Sequence, residues 1–434
     1  MPTGATLKPE GREFFTTKTV AEALAGFRPA HRTKAEIVPL GAALRRVTAE
    51  PVTAPHPLPG FARSTVDGYA VRAADTYGAS EGLPGYLTVT GAVRMGTVPG
   101  VTAPDVTVTS GSAVSMPTGG AIPPGADAVL MIEYTAEAME GTIEVVRPVA
   151  PGEGMVRADE DAAEGEELIH NGRVLRPQDL AMLAAAGVTS VRVHARPIVT
   201  IFSTGDEVVP PQTQALKPGQ VRDATASALA ALVADAGGTP VHGGIVSDDP
   251  GALERALRKA LQDSDLIVIS AGSSVGTRDE TANAVAALGP PGIWCHGLAI
   301  KPGKPTLLAE SGAGTGSQEN PGGTHGIPVI GLPGNPRSAL VVFRLIGMPL
   351  IRLVGGCTAA PPEPSARAKL SRDLASATGR LDVVQVTVDN GVATPLFGVS
   401  ALLSVLTDAD GYIVIPEEAT GLDAGTEVDV TLYA

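Results

Sequence analysis

Between residues 197 and 347, short apolar runs alternate with segments of helical spacing, and this alternation limits the fold more than any other feature. The reading is a strand over 197–203, a helix over 224–236, a strand over 239–246 and a helix over 250–262. A strand over 266–270, a helix over 280–288, a strand over 328–331 and a helix over 336–347 follow. The strands are nearly continuous in Val, Ile and Leu, so both of their faces must be covered. Strands alternating with helices predict a parallel α/β sheet. Ligands of such sheets bind beyond the carboxyl ends of the strands.

The residues that follow those strands suit a phosphorylated ligand. They are Ser203-Thr204-Gly205-Asp206-Glu207, then Ser247-Asp248-Asp249-Pro250, then Ser270 through Gly272, Ser273, Ser274 and Gly276 to Asp279, and finally Leu332-Pro333-Gly334-Asn335-Pro336. Glycines allow close backbone approach, and hydroxyls and N–H groups suit phosphate. Glu207, Asp248 and Asp279 would share one rim, where Mg²⁺ could bridge carboxylates and phosphate. Asp249 precedes Pro250 and reads as a helix N-cap, which leaves Asp248 free for function. Against this, Gly/Ser turns are common, and 272–276 could be an ordinary strand-to-helix turn.

A second constellation is cationic. Lys301-Pro302-Gly303-Lys304-Pro305 holds two lysines on a backbone stiffened by proline. Lysines are ordinarily solvated, and the Pro-Gly-Pro frame is what sets these apart. The turn at 331–336 then opens a helix whose first N–H groups could receive an anion. In a chain of formal net charge −14, this local positive clamp suggests a small anionic ligand. The acidic balance argues against a general nucleic-acid surface. Cys295 and Cys357 cannot form a disulfide framework and fit a reducing, cytoplasmic setting. Cys295-His296 has no other potential metal ligand clustered with it in the sequence and reads as structural, and Trp294 as core. Residues 1–10 lack the apolar core of a signal peptide. The longest apolar stretch, 339–354, is broken by Arg344, Pro349 and Arg352, so no membrane span is expected.

Elsewhere strands dominate. Thr19 and Glu22 have capping-box spacing before a helix over 19–27. A strand over 36–40, a helical turn over 41–47 and a Pro-rich boundary over 51–60 follow. Strands are expected over 85–93, 105–110, 128–132 and 142–146, giving a small β-rich domain. Asp67-Gly68-Tyr69 within it could be a plain turn. A hairpin is expected from 168–170 through Asn171-Gly172 to 173–175. It precedes a helix over 177–186 with Pro at its first position and a strand over 189–194. The stretch 311–326, rich in Gly, Ser and Asn, reads as a mobile loop. Strands over 381–388, 392–396, 412–415 and 427–432 make a C-terminal β-domain.

Taken in order, these motifs resemble the molybdopterin molybdenumtransferases of the MoeA/gephyrin E-domain type. The likeness spans nearly the whole chain. It is carried by Pro59-Gly60-Phe61 through Asp67-Gly68-Tyr69-Ala70-Val71-Arg72, Thr118-Gly119 with Pro124 to Val129, Glu160-Asp161 and 202–207. Ser274-Val275-Gly276 with Asp279, 301–305, 331–336 with Ser338-Ala339, and Gly379-Arg380-Leu381-Asp382 complete it. The resemblance implies an elongated homodimer of four-domain subunits. Residues 1–52 with 162–195 would form a linker and dimerisation domain, and 53–161 a β-rich lid. Residues 196–356 would form the α/β molybdopterin-binding domain, and 357–434 a barrel-like β-domain. It implies insertion of molybdate into adenylyl-molybdopterin with Mg²⁺ and release of AMP. The partners in that scheme are the molybdopterin adenylyltransferase and apo-molybdoenzymes.

The acidic positions carried over are Asp67, Asp161, Glu207, Asp248 and Asp279, with Asp67 acting across the dimer interface. The molybdate pocket maps onto Lys301, Lys304, Pro305, Ser338, Arg380 and Ser400. The nucleotide surface maps onto Thr204, Gly205, Gly272 to Ser274, Gly276 and Pro333 to Asn335. The chain departs from the family at several places. Ala62 and Arg63 replace an Asp and an Asn, and Ser273 replaces a Val. Glu280 replaces an aromatic or apolar residue, Gly297 a basic one, Arg337 a small apolar one and Val399 a glycine. These departures leave room for a paralogue that carries pterin or oxyanion or is specific for tungstate, and less for a pure scaffold.

Overall fold

The structure is a computed structural model that describes residues 17–103, 105–270, 275–311 and 326–433, without the side chains of 275–279. The 311–326 loop read from sequence therefore falls mostly outside the described residues, as do Gly272, Ser273 and Ser274.

The α/β domain contains β1 (Ile198–Thr204), β2 (Thr239–Val246), β3 (Leu266–Ser270), β4 (Gly292–His296), β5 (Leu307–Ser311) and β6 (Ile327–Leu332). Its helices are α1 (Thr225–Asp235), α2 (Ala252–Ala260), α3 (Val275–Ala286) and α4 (Pro336–Val342). Strand order is β2-β1-β3-β6-β5-β4. The first four are parallel, as the sequence predicts, but β5 and β4 run antiparallel at one edge. The sheet is therefore mixed. The order reverses between β1 and β3, which makes a crevice beyond their carboxyl ends.

Period-two alternation sorts apolar side chains between the two faces. Leu266 and Val268 join Val199, Ile201, Leu229 and Val233 on one face. Ile267 and Ile269 join Phe202, Leu257, Leu261 and Val285 on the other. Each fully buried Leu, Ile or Val contributes about 2 kcal/mol relative to exposure. In α1, Ala226, Leu229 and Val233 fall at helical spacing and form its inner face.

Three local expectations change. α3 begins at Val275 rather than near 280. After α4 the helix does not stop near 347: a wider π turn (Phe343–Gly347) leads into Met348–Val354. Pro349 lacks an N–H, and the wider turn lies immediately before it. Asp249 is not the N-cap of α2. Gly251 takes that place in the left-handed region (φ +75°). The Asp249 carboxylate instead accepts from Ser247 Oγ (3.0 Å).

The other domains are β-rich. The capping box of Thr19 and Glu22 is present ahead of the helix Val20–Gly26. Ala35–Pro39 pairs with Ser190–His194, and Pro177–Ala185 is helical with Pro at its start. The hairpin around Asn171-Gly172 does not form. Glu167–Ile169 pairs with Val52–Thr53, and Val174 bridges to Val47, so both arms are taken by the N-terminal segment. Asp67-Gly68-Tyr69 is not a turn: Gly68–Val71 is an inner strand flanked by Ala128–Met131 and Ser112–Met116. A Cβ on Gly68 would lie 1.9 Å from the Leu130 carbonyl oxygen, so this pairing requires glycine. The strand expected over 105–110 falls instead at Ser112–Met116.

At the C-terminus, Ser365–Leu370, Leu381–Asp389, Val392–Pro395, Gly411–Ile415 and Glu427–Leu432 close into a five-stranded barrel. Its core is Leu370, Val386, Ala393, Ile413 and Val430.

Candidate active site

The two clamp lysines sit at the tip of the β4–β5 hairpin. Leu298 and Thr306 both donate to the Lys304 carbonyl (2.8 Å each), and Gly297 donates to Thr306 (2.7 Å). Gly303 (φ +125°) packs against Val342, where a Cβ would come within 2.3 Å of Val342 Cγ2. The clamp is thus fixed by a tight turn and a glycine contact as well as by its prolines. Ile300–Lys301 also adds in parallel to the barrel strand, with Lys301 opposite Asp382.

That pairing brings charges from two domains together. The Asp382 side chain is 5 % exposed. It faces Lys301 Nζ at 3.5 Å and Arg380 Nε at 3.0 Å. Arg380 and Asp382 are two apart on one strand and so share a face. Lys301, by contrast, keeps 58 % of its side chain exposed. The residues around them enclose a cleft of about 1050 Å³ between the α/β domain and the barrel. Lys301, Lys304, Pro305, Ser338, Arg380 and Ser400 all line it, with Pro333 and Asn335. Every residue assigned from sequence to the anion pocket is brought here.

Sequence reasoning gave no role to three charged members of this wall, Asp373, Asp382 and Arg337. Asp382 appeared only within a motif, although Arg380-Leu381-Asp382 has the spacing that puts both charges side by side. Arg337 appeared only as a departure. It is 8 % exposed. Its Nε donates to Gln385 Oε1 and its Nη1 to the Gly398 carbonyl, each at 2.7 Å. Its backbone N–H donates to the Ser400 carbonyl (3.2 Å). The start of α4 is therefore not a row of bare donors, since its first N–H is taken by the C-terminal domain. Burial holds the Arg337 guanidinium below its usual pKa.

The carboxylate rim lies at the ends of β1 and β2. Gly205 (φ +127°) lets the chain fold so that the Glu207 carboxylate lies over it: a Cβ there would be 2.5 Å from Glu207 Oε2. Asp206, not assigned from sequence, ties the two strand ends by accepting from the Asp248 N–H (3.2 Å). Thr204 and Asp248 line a cavity of about 210 Å³ with Glu280 and Asn283. Gly276 lies within α3, and the Asp279 side chain is outside the described residues. Among the described residues no three acidic, histidine or cysteine side chains form a group that would hold a metal alone.

Asp67 and Asp161 line neither cleft. Asp67 is exposed on the β-rich N-terminal domain, where its Oδ1 accepts from Thr118 N–H (2.7 Å) and Oγ1 (3.0 Å). Asp161 is exposed in a bend held by its N–H to the Leu58 carbonyl (2.9 Å). Cys295 is buried in the core, as its sequence context suggested, and burial pushes its thiol up to about 11. Trp294 is only half-buried, tilted against Phe27 and beneath Lys18.

Comparison with known proteins agrees with this geometry along the chain. Residues 18–187 match the MoeA N-terminal region (domain I and II), 200–353 a probable molybdopterin binding domain, and 367–433 the MoeA C-terminal region (domain IV). A molybdopterin molybdenumtransferase 2 of Mycobacterium tuberculosis is 32% identical over 420 residues, covering 95% of this chain and 97% of that protein. The chain belongs to the MoeA family. A molybdopterin molybdenumtransferase of Bacillus subtilis is 31% identical, covering 92% and 89% of the two chains. The crystal structure of a molybdopterin biosynthesis MoeA protein from Pyrococcus horikoshii superimposes with a TM-score of 0.76 at 32% identity. It covers 96% of this chain and 100% of that one. The multi-domain MoeA fold, with its α/β domain and C-terminal barrel, is thus this chain's fold.

Proposed function

We propose that this MoeA-family chain is a transferase of molybdenum cofactor biosynthesis that inserts molybdate into adenylylated molybdopterin and releases AMP. One observation carries the reading: Lys301, Lys304, Ser338, Arg380 and Ser400 converge on a single cleft from two domains. Molybdate is a tetrahedral dianion with acceptors on every face. Ammonium and guanidinium groups match its charge, and two hydroxyls can donate to its remaining oxygens. The dithiolene of the pterin supplies soft sulfur to molybdenum, so no protein thiolate is needed. Buried, neutral Cys295 fits that division.

Glu207 and Asp248 are hard oxygen donors and suit Mg²⁺, which binds few carboxylates and keeps its other positions for water and phosphate. When bound, the ion would make the phosphoanhydride more electrophilic and stabilise departing AMP. Here Glu207 and Asp248 would hold it, and Thr204 and Gly205 would seat the phosphates. The positions of Asp67 and Asp161 on the lid support a homodimer in which one subunit's lid covers its partner's cleft. Two free, buried cysteines suit a reducing cytoplasm, and no helix among the described residues is long and apolar enough to cross a membrane.

Purified protein given adenylyl-molybdopterin, molybdate and Mg²⁺ is expected to release AMP in step with molybdenum incorporation. No AMP release under these conditions would overturn the proposal.

A further inference from the structure

Arg337 is a buried cation without a counter-charge among the described residues. Both of its side-chain acceptors there, the Gln385 amide oxygen and the Gly398 carbonyl, are neutral. Arg46, equally buried, is neutralised by Glu36, and Arg380 is neutralised by Asp382. A guanidinium stays charged at any physiological pH, and burying one unpaired opposes folding. Its two neutral partners satisfy Nε and Nη1. Nη2 has no hydrogen-bond partner among the described residues and is not among the side-chain atoms sealed from solvent. The same side chain lines the cleft that holds Lys301, Lys304 and Arg380.

The balance of charge around that cleft depends on it. Lys301, Lys304, Arg337 and Arg380 line it together with Asp373 and Asp382, so the lining is doubly positive. Without Arg337 it would be singly positive and would underbalance a dianion. The guanidinium also holds Gly398 while its backbone N–H holds Ser400, so one residue of α4 anchors the barrel segment that supplies a pocket hydroxyl.

We infer that Arg337 is a further oxyanion-binding residue: its free Nη2 donates to the tetrahedral dianion in the cleft while its other nitrogens fix the segment carrying Ser400. This rests on the oxyanion reading of the cleft and deepens it. Among the described residues the acceptors of this buried guanidinium are neutral, and its side chain lines a cleft of cations.

The test uses the full chain with sodium molybdate as probe, by titration calorimetry and thermal unfolding. Arg337→Gln and Arg337→Met are both made, so that one failure to fold leaves the test intact. Each is expected to weaken molybdate binding about tenfold or more, the scale of one charge-assisted hydrogen bond. Each also removes an uncompensated buried charge while leaving the Gln385 and Gly398 acceptors unmet, so the Tm of the anion-free protein is expected to shift by only a few degrees. Arg337→Lys should recover part of the affinity by restoring the charge. Unchanged molybdate affinity with a lowered anion-free Tm would make Arg337 only an interdomain strut and overturn the inference. Binding lost in Lys301→Ala but kept in Arg337→Gln would overturn this role alone. A native chain that takes up no molybdate would overturn the oxyanion reading with it.

Discussion

The cationic cleft and the carboxylate rim are built by different means. The cleft is made of long-range contacts: a hairpin tip, a helix start and a barrel strand meet, and Asp382, Arg337 and Gln385 lock them together. The rim is local. Glu207 and Asp248 each follow their own strand, Glu207 is exposed and Asp248 half-buried, and one hydrogen bond through Asp206 ties them. Preorganised charge in a fixed frame favours selection of a compact anion. Carboxylates held by so few contacts at strand ends can adjust to what they bind. On the proposed function this divides the labour, with geometry strict at the cationic cleft and permissive at the rim.

The sharpest way to separate the two ends is to remove a charge from each. Lys301→Ala is expected to weaken molybdate binding about a hundredfold, from a lost ammonium and from Asp382 left facing the anion. Binding of adenylyl-molybdopterin alone should change by less than about threefold. Comparable losses for both ligands, measured by titration calorimetry, would dissolve the comparison.

Asp248→Asn is the reciprocal variant. It is expected to slow AMP release roughly tenfold to a hundredfold while molybdate affinity stays unchanged. Excess Mg²⁺ should restore part of the rate. A rate insensitive to Mg²⁺ concentration in both proteins would remove the metal from the rim.

Asp382→Asn probes the lock itself. Removing a buried carboxylate strands Lys301 and Arg380, although both remain partly solvated. A cost of about 1–3 kcal/mol is expected, less than for a fully buried pair. It should appear as a Tm several degrees lower, with part of the loss regained on adding molybdate. An unchanged Tm would mean that the frame does not depend on this ion pair.

The smallest effect concerns Cys295. A thiol pushed up to about 11 is neutral at pH 8, so iodoacetamide should leave Cys295 unmodified in the folded chain. Because the folded value is raised, its contribution to stability is full below the free-thiol pKa and is lost as pH rises through about 11. Cys295→Ala should therefore flatten the decline of Tm across that window slightly. Rapid alkylation at pH 8 would contradict the burial.

Much of this architecture was legible because α/β strands carry their burial on both faces. The run 266–270 can hardly be anything but an inner strand, and the candidates at strand ends followed from it. Pairing choices were harder to read. Gly292–His296 and Leu307–Ser311 flank a loop whose lysines and prolines drew attention to chemistry, and nothing local states that these strands run antiparallel. Asn171-Gly172 has hairpin chemistry, yet both arms find better partners in the N-terminal segment. Asp249 precedes a proline but is captured by Ser247. Arg337 could be recognised as unusual from sequence, but its partners Gln385 and Gly398 lie about fifty and sixty residues away. Contacts of that separation are fixed by tertiary packing and leave no periodic trace.

The parallel addition of Ile300–Lys301 to Leu381–Asp382 bears on modularity. A C-terminal barrel cut from the chain would lose the short strand that covers this edge and expose backbone donors and acceptors to any passing strand. Grafted onto a different α/β domain, it would need the β4–β5 hairpin grafted with it. The unit that recombination can exchange is therefore larger than the barrel, because its border runs through the turn that carries Lys301 and Lys304.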